Sequence, residues 1–303
     1  MANIIAIIWD FDKTLIKGYM QDPIFKEYGV DPHDFWNEVN ALPKKYWDEQ
    51  RVKVNKDTIY LNHFINRTKD GTFRGLNNEK LRNYGKQMDF YPGVPKIFEI
   101  TKNVVNNDVY QEYDIKVEHY IVSTGMAEIR RGSSVNDYVS QIWGCEFIEV
   151  DDGNGGRIIG EVGYSIDSTT KTRALYEINK GVGKQDGVEV NTRIPEEMRR
   201  VHFINMVYVA DGPSDIPVFS VVNKNGGATF AIYPAGDRIA MKQVEQMRKD
   251  NRIQMFAEAD YSENKTACMW LCSKIEDYAE RIRREEKEKI AKYTSGGTPQ
   301  HLV

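Results

Sequence analysis

Asp10, Asp12 and Thr14 stand in the segment WDFDKTL, directly after an apolar run at residues 4–9. Two carboxylates at i and i+2 beyond a buried strand suit a nucleophile beside a proton donor, or a pair of hard oxygen ligands. The same spacing also suits helix capping, so support has to come from elsewhere in the chain. The hexapeptide ADGPSD offers it. Asp211 and Asp215 follow a second apolar run, and a third carboxylate beside Asp10 would make an oxygen-rich site suited to Mg2+. Asp, Gly, Pro and Ser are equally turn formers, and a turn and a metal site can share this segment. Ser123, Thr124 and Gly125 present a hydroxyl and backbone amides to a phosphoryl oxygen where the pattern predicts the start of a helix; capping is the plainer role. Lys171, in DSTTKTRAL, is a cation that could neutralise a phosphoryl group or steady Asp10, although an isolated lysine is ordinarily a solvated surface charge.

Such residues need elements that bring them to one point. Residues 4–9 form a short, continuous apolar run, the pattern of a strand buried on both faces. From residue 18 to about residue 90 the pattern turns helical, with aromatic- and Lys-rich segments such as DPIFKEYGV, DPHDFWNEV and TIYLNHFINRT, and predicts an inserted helical cap. YPGV at 91–94 punctuates a loop. Strands are then predicted at 118–122, 145–150, 206–210 and 228–232, helices at 95–102, 168–180 and 216–223, and a hairpin through DDGNGG and RIIGEVGYS. This alternation predicts an α/β fold with a doubly wound, mainly parallel sheet in a Rossmann-like core. The core is expected to comprise 1–16 and 91–261, the cap 17–90, and a C-terminal helix with a polar tail 262–303. Ligands of such sheets bind beyond the carboxyl ends of strands where strand order reverses, and each polar cluster sits at such an end.

Composition narrows the partners. The chain has 303 residues, 41% of them hydrophobic and 28% charged, enough for a substantial core in a soluble protein. A formal net charge of -4 gives no global field to attract nucleic acid or anionic membranes. Cys145, Cys268 and Cys272 form no even framework, and their expected state is free thiols in a reducing compartment, with Cys268 and Cys272 at helical spacing in a core. The N-terminal apolar run is broken by Asp10 and lacks a basic leader, and no apolar run approaches the roughly 20 residues of a membrane span. A cytoplasmic, membrane-free location is the expectation. No oligomeric state is written in the pattern.

In their order, WDFDKTL, IVSTG, Lys171 and ADGPSD resemble the four motifs of the haloacid dehalogenase superfamily. The resemblance runs from residue 4 to about residue 232, and the insertion between the first two motifs resembles the helical cap of the phosphoserine phosphatase branch. It implies Asp10 as nucleophile, Asp12 as general acid and base, Ser123 as phosphate-binding hydroxyl with Thr124 and Gly125 beside it, and Lys171 as the motif-three lysine. Lys180 and Lys184 are weaker rivals. It implies Mg2+ held by Asp10, the backbone carbonyl of Asp12, Asp211 as principal ligand and Asp215 as a second acidic contributor. The implied activity is hydrolysis of a small phosphorylated metabolite through an aspartyl phosphate; the alternatives are a phosphotransferase or mutase, or a phosphate-binding regulator without turnover. The branch carries an acidic residue shortly after its first motif to hold the substrate amine of phosphoserine, whereas this chain has Lys17, Gly18 and Tyr19, which makes L-phosphoserine a poor substrate candidate. Tyr19, Phe25 and the basic residues Lys44, Lys45, Arg51 and Lys53 are the expected readers of the organic part.

Overall fold

The computed structural model describes residues 3–295, and the final eight residues of the expected polar tail lie outside that range. Its centre is β1 (Asn3–Trp9), in which Ile5, Ala6, Ile7, Ile8 and Trp9 have no exposed surface. A run this apolar is tolerated only where both faces of a sheet are covered. Four helices follow: α1 (Asp22–Tyr28), α2 (Pro32–Gln50), α3 (Ile59–Lys69) and α4 (Asn78–Gly85). The chain then returns through α5 (Lys96–Asn103) and α6 (Asp108–Gln111) to β2 (Ile115–Met126), and on through α7 (Ala127–Arg131), β3 (Gln141–Asp151) and β4 (Arg157–Tyr164). The last part comprises α8 (Lys171–Lys180), β5 (Met206–Ala210), α9 (Ile216–Lys224), β6 (Ala228–Tyr233), α10 (Arg238–Lys249), β7 (Met255–Glu258) and α11 (Thr266–Ser295).

The seven strands form one sheet in the order β4-β3-β2-β1-β5-β6-β7, parallel throughout except for the β3/β4 hairpin. The chain fills one side of β1 first, then crosses to β5 on the other. Strand order therefore reverses at β1, and the carboxyl end of β1 is where such a sheet opens a crevice. Among the described residues no helix is long and apolar enough to cross a membrane.

Two joints matter for the site. Behind β1, the Trp9 indole donates to Nδ1 of the fully buried His119 at 3.1 Å. Because an indole can only donate, Nδ1 is the acceptor and the ring proton belongs on Nε2, facing the Thr101 hydroxyl at 3.0 Å. Burial, with the Lys102 ammonium adding to it, pushes His119 down to about 3, so the ring is neutral. The second joint is between α4 and α7. A Cβ on Gly132 would lie 1.7 Å from the Arg82 carbonyl oxygen, and one on Gly85 would lie 2.0 Å from that of Ile129, so the two backbones touch where only glycine fits. Around that contact Glu128 accepts from Arg82 and Arg131, each at 2.6 Å, and Arg131 also binds Glu146 at 2.6 Å.

The helices between 22 and 85 have an aromatic centre of their own: the Phe25 ring lies 4.9 Å from Phe35, Phe35 4.7 Å from Phe64, and Phe64 5.0 Å from Phe73. Phe25 is thus a packing residue, buried away from any ligand. Cys145 and Cys268 are buried and Cys272 is half-buried, and all three are free thiols.

Candidate active site

Three strand ends meet at the reversal. Asp10 follows β1, Ser123 lies near the end of β2, and Asp211 follows β5, while Lys171 enters from the first position of α8. Together with Asp12, Lys13, Tyr19, Thr124 and Ser214 they line a cavity of about 170 Å3. A larger depression of about 660 Å3, lined by Asn223, Glu245 and Arg248 among others, shares none of these residues.

Lys171 is 1% exposed and is far from the solvated charge that an isolated lysine suggests. Its ammonium donates to Asp10 Oδ1 at 2.9 Å and to Asp215 Oδ1 at 2.6 Å. Burial alone would lower its pKa, but the two carboxylates outweigh burial and hold it above the ordinary lysine value. Asp215 is fully used: Tyr208 donates to Oδ1 at 2.6 Å and Ser214 to Oδ2 at 2.9 Å. The Thr14 hydroxyl donates to Asp10 Oδ2 at 3.3 Å, so it serves the carboxylate and caps no helix.

Asp12 is held differently. Its Oδ1 accepts from the Met20 amide at 2.9 Å, and burial, reinforced by the Asp10 charge, pushes its pKa up to about 7. A carboxyl group with that value exchanges protons near neutrality. Asp211 makes no side-chain hydrogen bond within the described residues, and burial followed by the charges of Asp10 and Asp215 raises its pKa too. Carboxylate oxygens of Asp10, Asp211 and Asp215 all lie within 4.8 Å of one another. Such crowding of hard, mutually repelling oxygens, one of them unpartnered, fits a divalent cation.

The motif-two segment departs from expectation. Ser123, Thr124 and Gly125 do not open a helix; they belong to the last, irregular turn of β2, where its register against β3 shifts between Val122 and Met126. The helix that follows, α7, has five residues and starts only at Ala127. Ser123 and Thr124 reach the cavity, whereas Gly125 lies behind it, where a Cβ would come within 2.5 Å of the Met20 sulfur. Lys180 gives its ammonium to the carbonyls of Val190 and Thr192, at 2.6 and 2.8 Å, and so is engaged elsewhere.

No family model matches the chain. An uncharacterized protein of Borreliella burgdorferi (strain ATCC 35210 / DSM 4680 / CIP 102532 / B31) is 36% identical over 286 residues, covering 90% of this chain and 97% of that protein. The chain belongs to that protein's family. Among solved structures, it is similar to a phosphoserine phosphatase in apo form, at 18% identity and a TM-score of 0.49 over 85% of this chain and 94% of that one. It is also similar to a HAD family hydrolase from Salmonella enterica subsp. enterica serovar Typhi, at 14% identity and a TM-score of 0.48 over 80% of this chain. The chain spans 65% of the length of that hydrolase.

The segment between α2 and α3, with the start of α3, reaches the core beside the site. Tyr60 of α3 donates to the Thr124 carbonyl at 2.8 Å, Asn55 to Asp167 Oδ2 at 2.7 Å, and the Ser168 hydroxyl to Asp57 Oδ2 at 2.7 Å, just ahead of the helix that carries Lys171. Of the expected readers, Tyr19 lines the cavity, while Lys44 is exposed and paired with Asp48. Lys13 was not singled out from the sequence, although it adjoins Asp12; it lines the cavity and its ammonium donates to the Tyr19 hydroxyl at 2.7 Å. Lys13 also has a left-handed φ of 54°, unusual for a side chain of its size. Tyr208 gave no signal because it sits in an apolar strand.

Proposed function

We propose that the chain is a phosphohydrolase of the haloacid dehalogenase type acting on a small phosphorylated substrate, with Asp10 as nucleophile, Asp12 as acid and base, and Asp10 and Asp211, with the Asp12 carbonyl, as the holders of Mg2+ and Asp215 a second acidic contributor behind them. The observation that carries this reading is the convergence of four segments far apart in sequence, at Asp10, Ser123, Lys171 and Asp211, on one small polar cavity. The two aspartates of the first segment have separate surroundings, as their separate tasks require. Asp10 is fixed by Lys171 and Thr14, whereas Asp12 is bound through one oxygen and has a pKa near neutrality.

An Asp10 oxygen attacks phosphorus, the bond from phosphorus to the leaving oxygen breaks, and Asp12 gives that oxygen its proton. Water then attacks the aspartyl phosphate, its proton passes to Asp12, and the bond between Asp10 and phosphorus breaks to release inorganic phosphate and restore both side chains. Lys171 and the Ser123–Thr124 segment screen the phosphoryl charges that would otherwise repel Asp10. Bound Mg2+ would supply further neutralisation of the same charge.

The test is release of inorganic phosphate from p-nitrophenyl phosphate and from a panel of phosphorylated metabolites, with and without Mg2+. Turnover that needs Mg2+ and is lost in Asp10→Asn is expected; a wild-type protein that binds phosphate but releases none from any ester would be a regulator instead. Asp10→Asn changes little in volume, and a circular dichroism spectrum identical to wild type is expected with it.

A further inference from the structure

Arg130 has no role in that scheme, yet it is placed with unusual care. It is an arginine with no exposed surface, lying directly behind the motif-two segment. Its Nη2 donates to the Gly125 carbonyl at 3.0 Å and to the Trp143 carbonyl at 3.2 Å, tying the end of β2 to β3. Nε and Nη1 have no partner among the described residues. Room for the guanidinium is made by Gly144, where a Cβ would lie 1.3 Å from Nη2. The neighbouring Arg131 is spent in ion pairs with Glu128 and Glu146, but Arg130 has no carboxylate in contact among the described residues. Leaving a buried cation without an ion-pair partner is costly unless its charge serves something nearby.

What lies nearby is the phosphoryl site. Asp12 and, more weakly, Asp10 act on Arg130 through their charges, as Glu146 does from β3, and its Nη1 lies 3.5 Å from where a Gly125 Cβ would stand, on the same side as Met20. Burial lowers its pKa, but a guanidinium remains charged in a protein. Around the cavity stand four carboxylates, Asp10, Asp12, Asp211 and Asp215, against two lysines, Lys13 and Lys171. With Asp12 carrying the proton that it donates, three charged carboxylates stand against two lysines; a divalent cation and a phosphate dianion cancel, and the charge of Arg130 balances the remaining one.

We propose that Arg130 is a positioning residue of the phosphoryl site, holding the Ser123–Gly125 segment from behind through the Gly125 carbonyl and lending the front of that segment a fixed positive potential. This inference rests on the phosphohydrolase reading for its kinetic consequence and on geometry alone for its effect on anion binding. In a low-dielectric wall such a charge acts through the protein on a phosphoryl oxygen without touching it.

The experiment compares wild type, Arg130→Met and Arg130→Lys as full chains with Mg2+. It measures the Kd of inorganic phosphate by calorimetry, kcat and KM for p-nitrophenyl phosphate, and Tm. Arg130→Met is expected to bind phosphate at least tenfold more weakly and to lose ten- to a hundredfold in kcat/KM, with a Tm only modestly lower than wild type, since Met fills the slot but leaves the Gly125 and Trp143 carbonyls unpaired. Arg130→Lys should recover phosphate affinity to within about threefold. Wild-type phosphate affinity in Arg130→Met would overturn the proposal, as would equal impairment in both variants accompanied by a fall in Tm, which marks a packing role. If Arg130→Met does not fold, Arg130→Lys decides alone: affinity within threefold supports the proposal and a tenfold loss overturns it. A wild-type protein that hydrolyses no ester but binds phosphate in an Arg130-dependent way removes the phosphohydrolase reading and leaves this one standing.

Discussion

At the level of single residues, the site separates side chains that look alike in the sequence. Asp12 and Asp10 are two positions apart, but one carboxylate is locked by Lys171 and the other is held by a single amide. Asp12→Asn should therefore slow ester cleavage severely for poor leaving groups and much less for p-nitrophenyl phosphate, which needs little acid help, while hydrolysis of the aspartyl phosphate stalls. Acid quenching followed by mass spectrometry is expected to find the phosphoryl adduct on Asp10; its absence during residual turnover would refute the division of labour. Asp211 and Asp215 differ in the same way. Asp215 is consumed by Lys171, Tyr208 and Ser214, while Asp211 makes no side-chain hydrogen bond among the described residues. Titration of activity against Mg2+ should show a weakened requirement, or none satisfied, in Asp211→Asn, whereas Asp215→Asn should principally disturb Lys171. An unchanged Mg2+ curve in Asp211→Asn would rule out its role as a ligand.

Among the elements, the joint between β1, β2 and α5 has a measurable pH signature. His119 stays neutral down to about 3, while in the unfolded chain it takes up a proton at about 6.5. Its folded pKa is depressed, so its contribution is complete above the unfolded value and is lost as pH falls. Each pH unit below about 6.5 should remove about 1.4 kcal/mol at this one site. Urea unfolding of wild type and His119→Asn at pH 7 and pH 5 measures the difference. A wild-type loss no larger than the variant's would contradict it. Strands with continuous apolar runs were readable in advance: β5 has the predicted bounds, and β1 and β6 differ by one residue, whereas β2 extends three residues before and four after its predicted 118–122. β7, with four residues and a mixed pattern, and the amphipathic α10 offered no comparable run and were missed. The end of β2 was misread as a helix start because Ser-Thr-Gly caps helices and ends strands with equal ease, and the register shift that decides between them depends on β3. Arg130 and Arg131 are adjacent in sequence, and nothing local distinguishes the buried one from the ion-paired one.

For the whole molecule, the insertion is attached unequally along its two sides. On one side α4 and α7 touch backbone to backbone at Gly85 and Gly132; on the other, residues 55–60 reach the core through four hydrogen bonds from or to side chains. In the double variant Asn55→Ala/Asp57→Ala, amides of residues 51–58 and the start of α3 should exchange with deuterium faster, while those of α4 keep wild-type rates. Equal acceleration along both sides would contradict this. The side opposite the glycine seam is joined to the core through side chains alone. That side carries Arg51, Lys53 and Lys56, all exposed and none with an ion-pair partner among the described residues. In a chain of net charge -4 these three cations form an exposed basic stretch, with Asp57 beside them turned to the core.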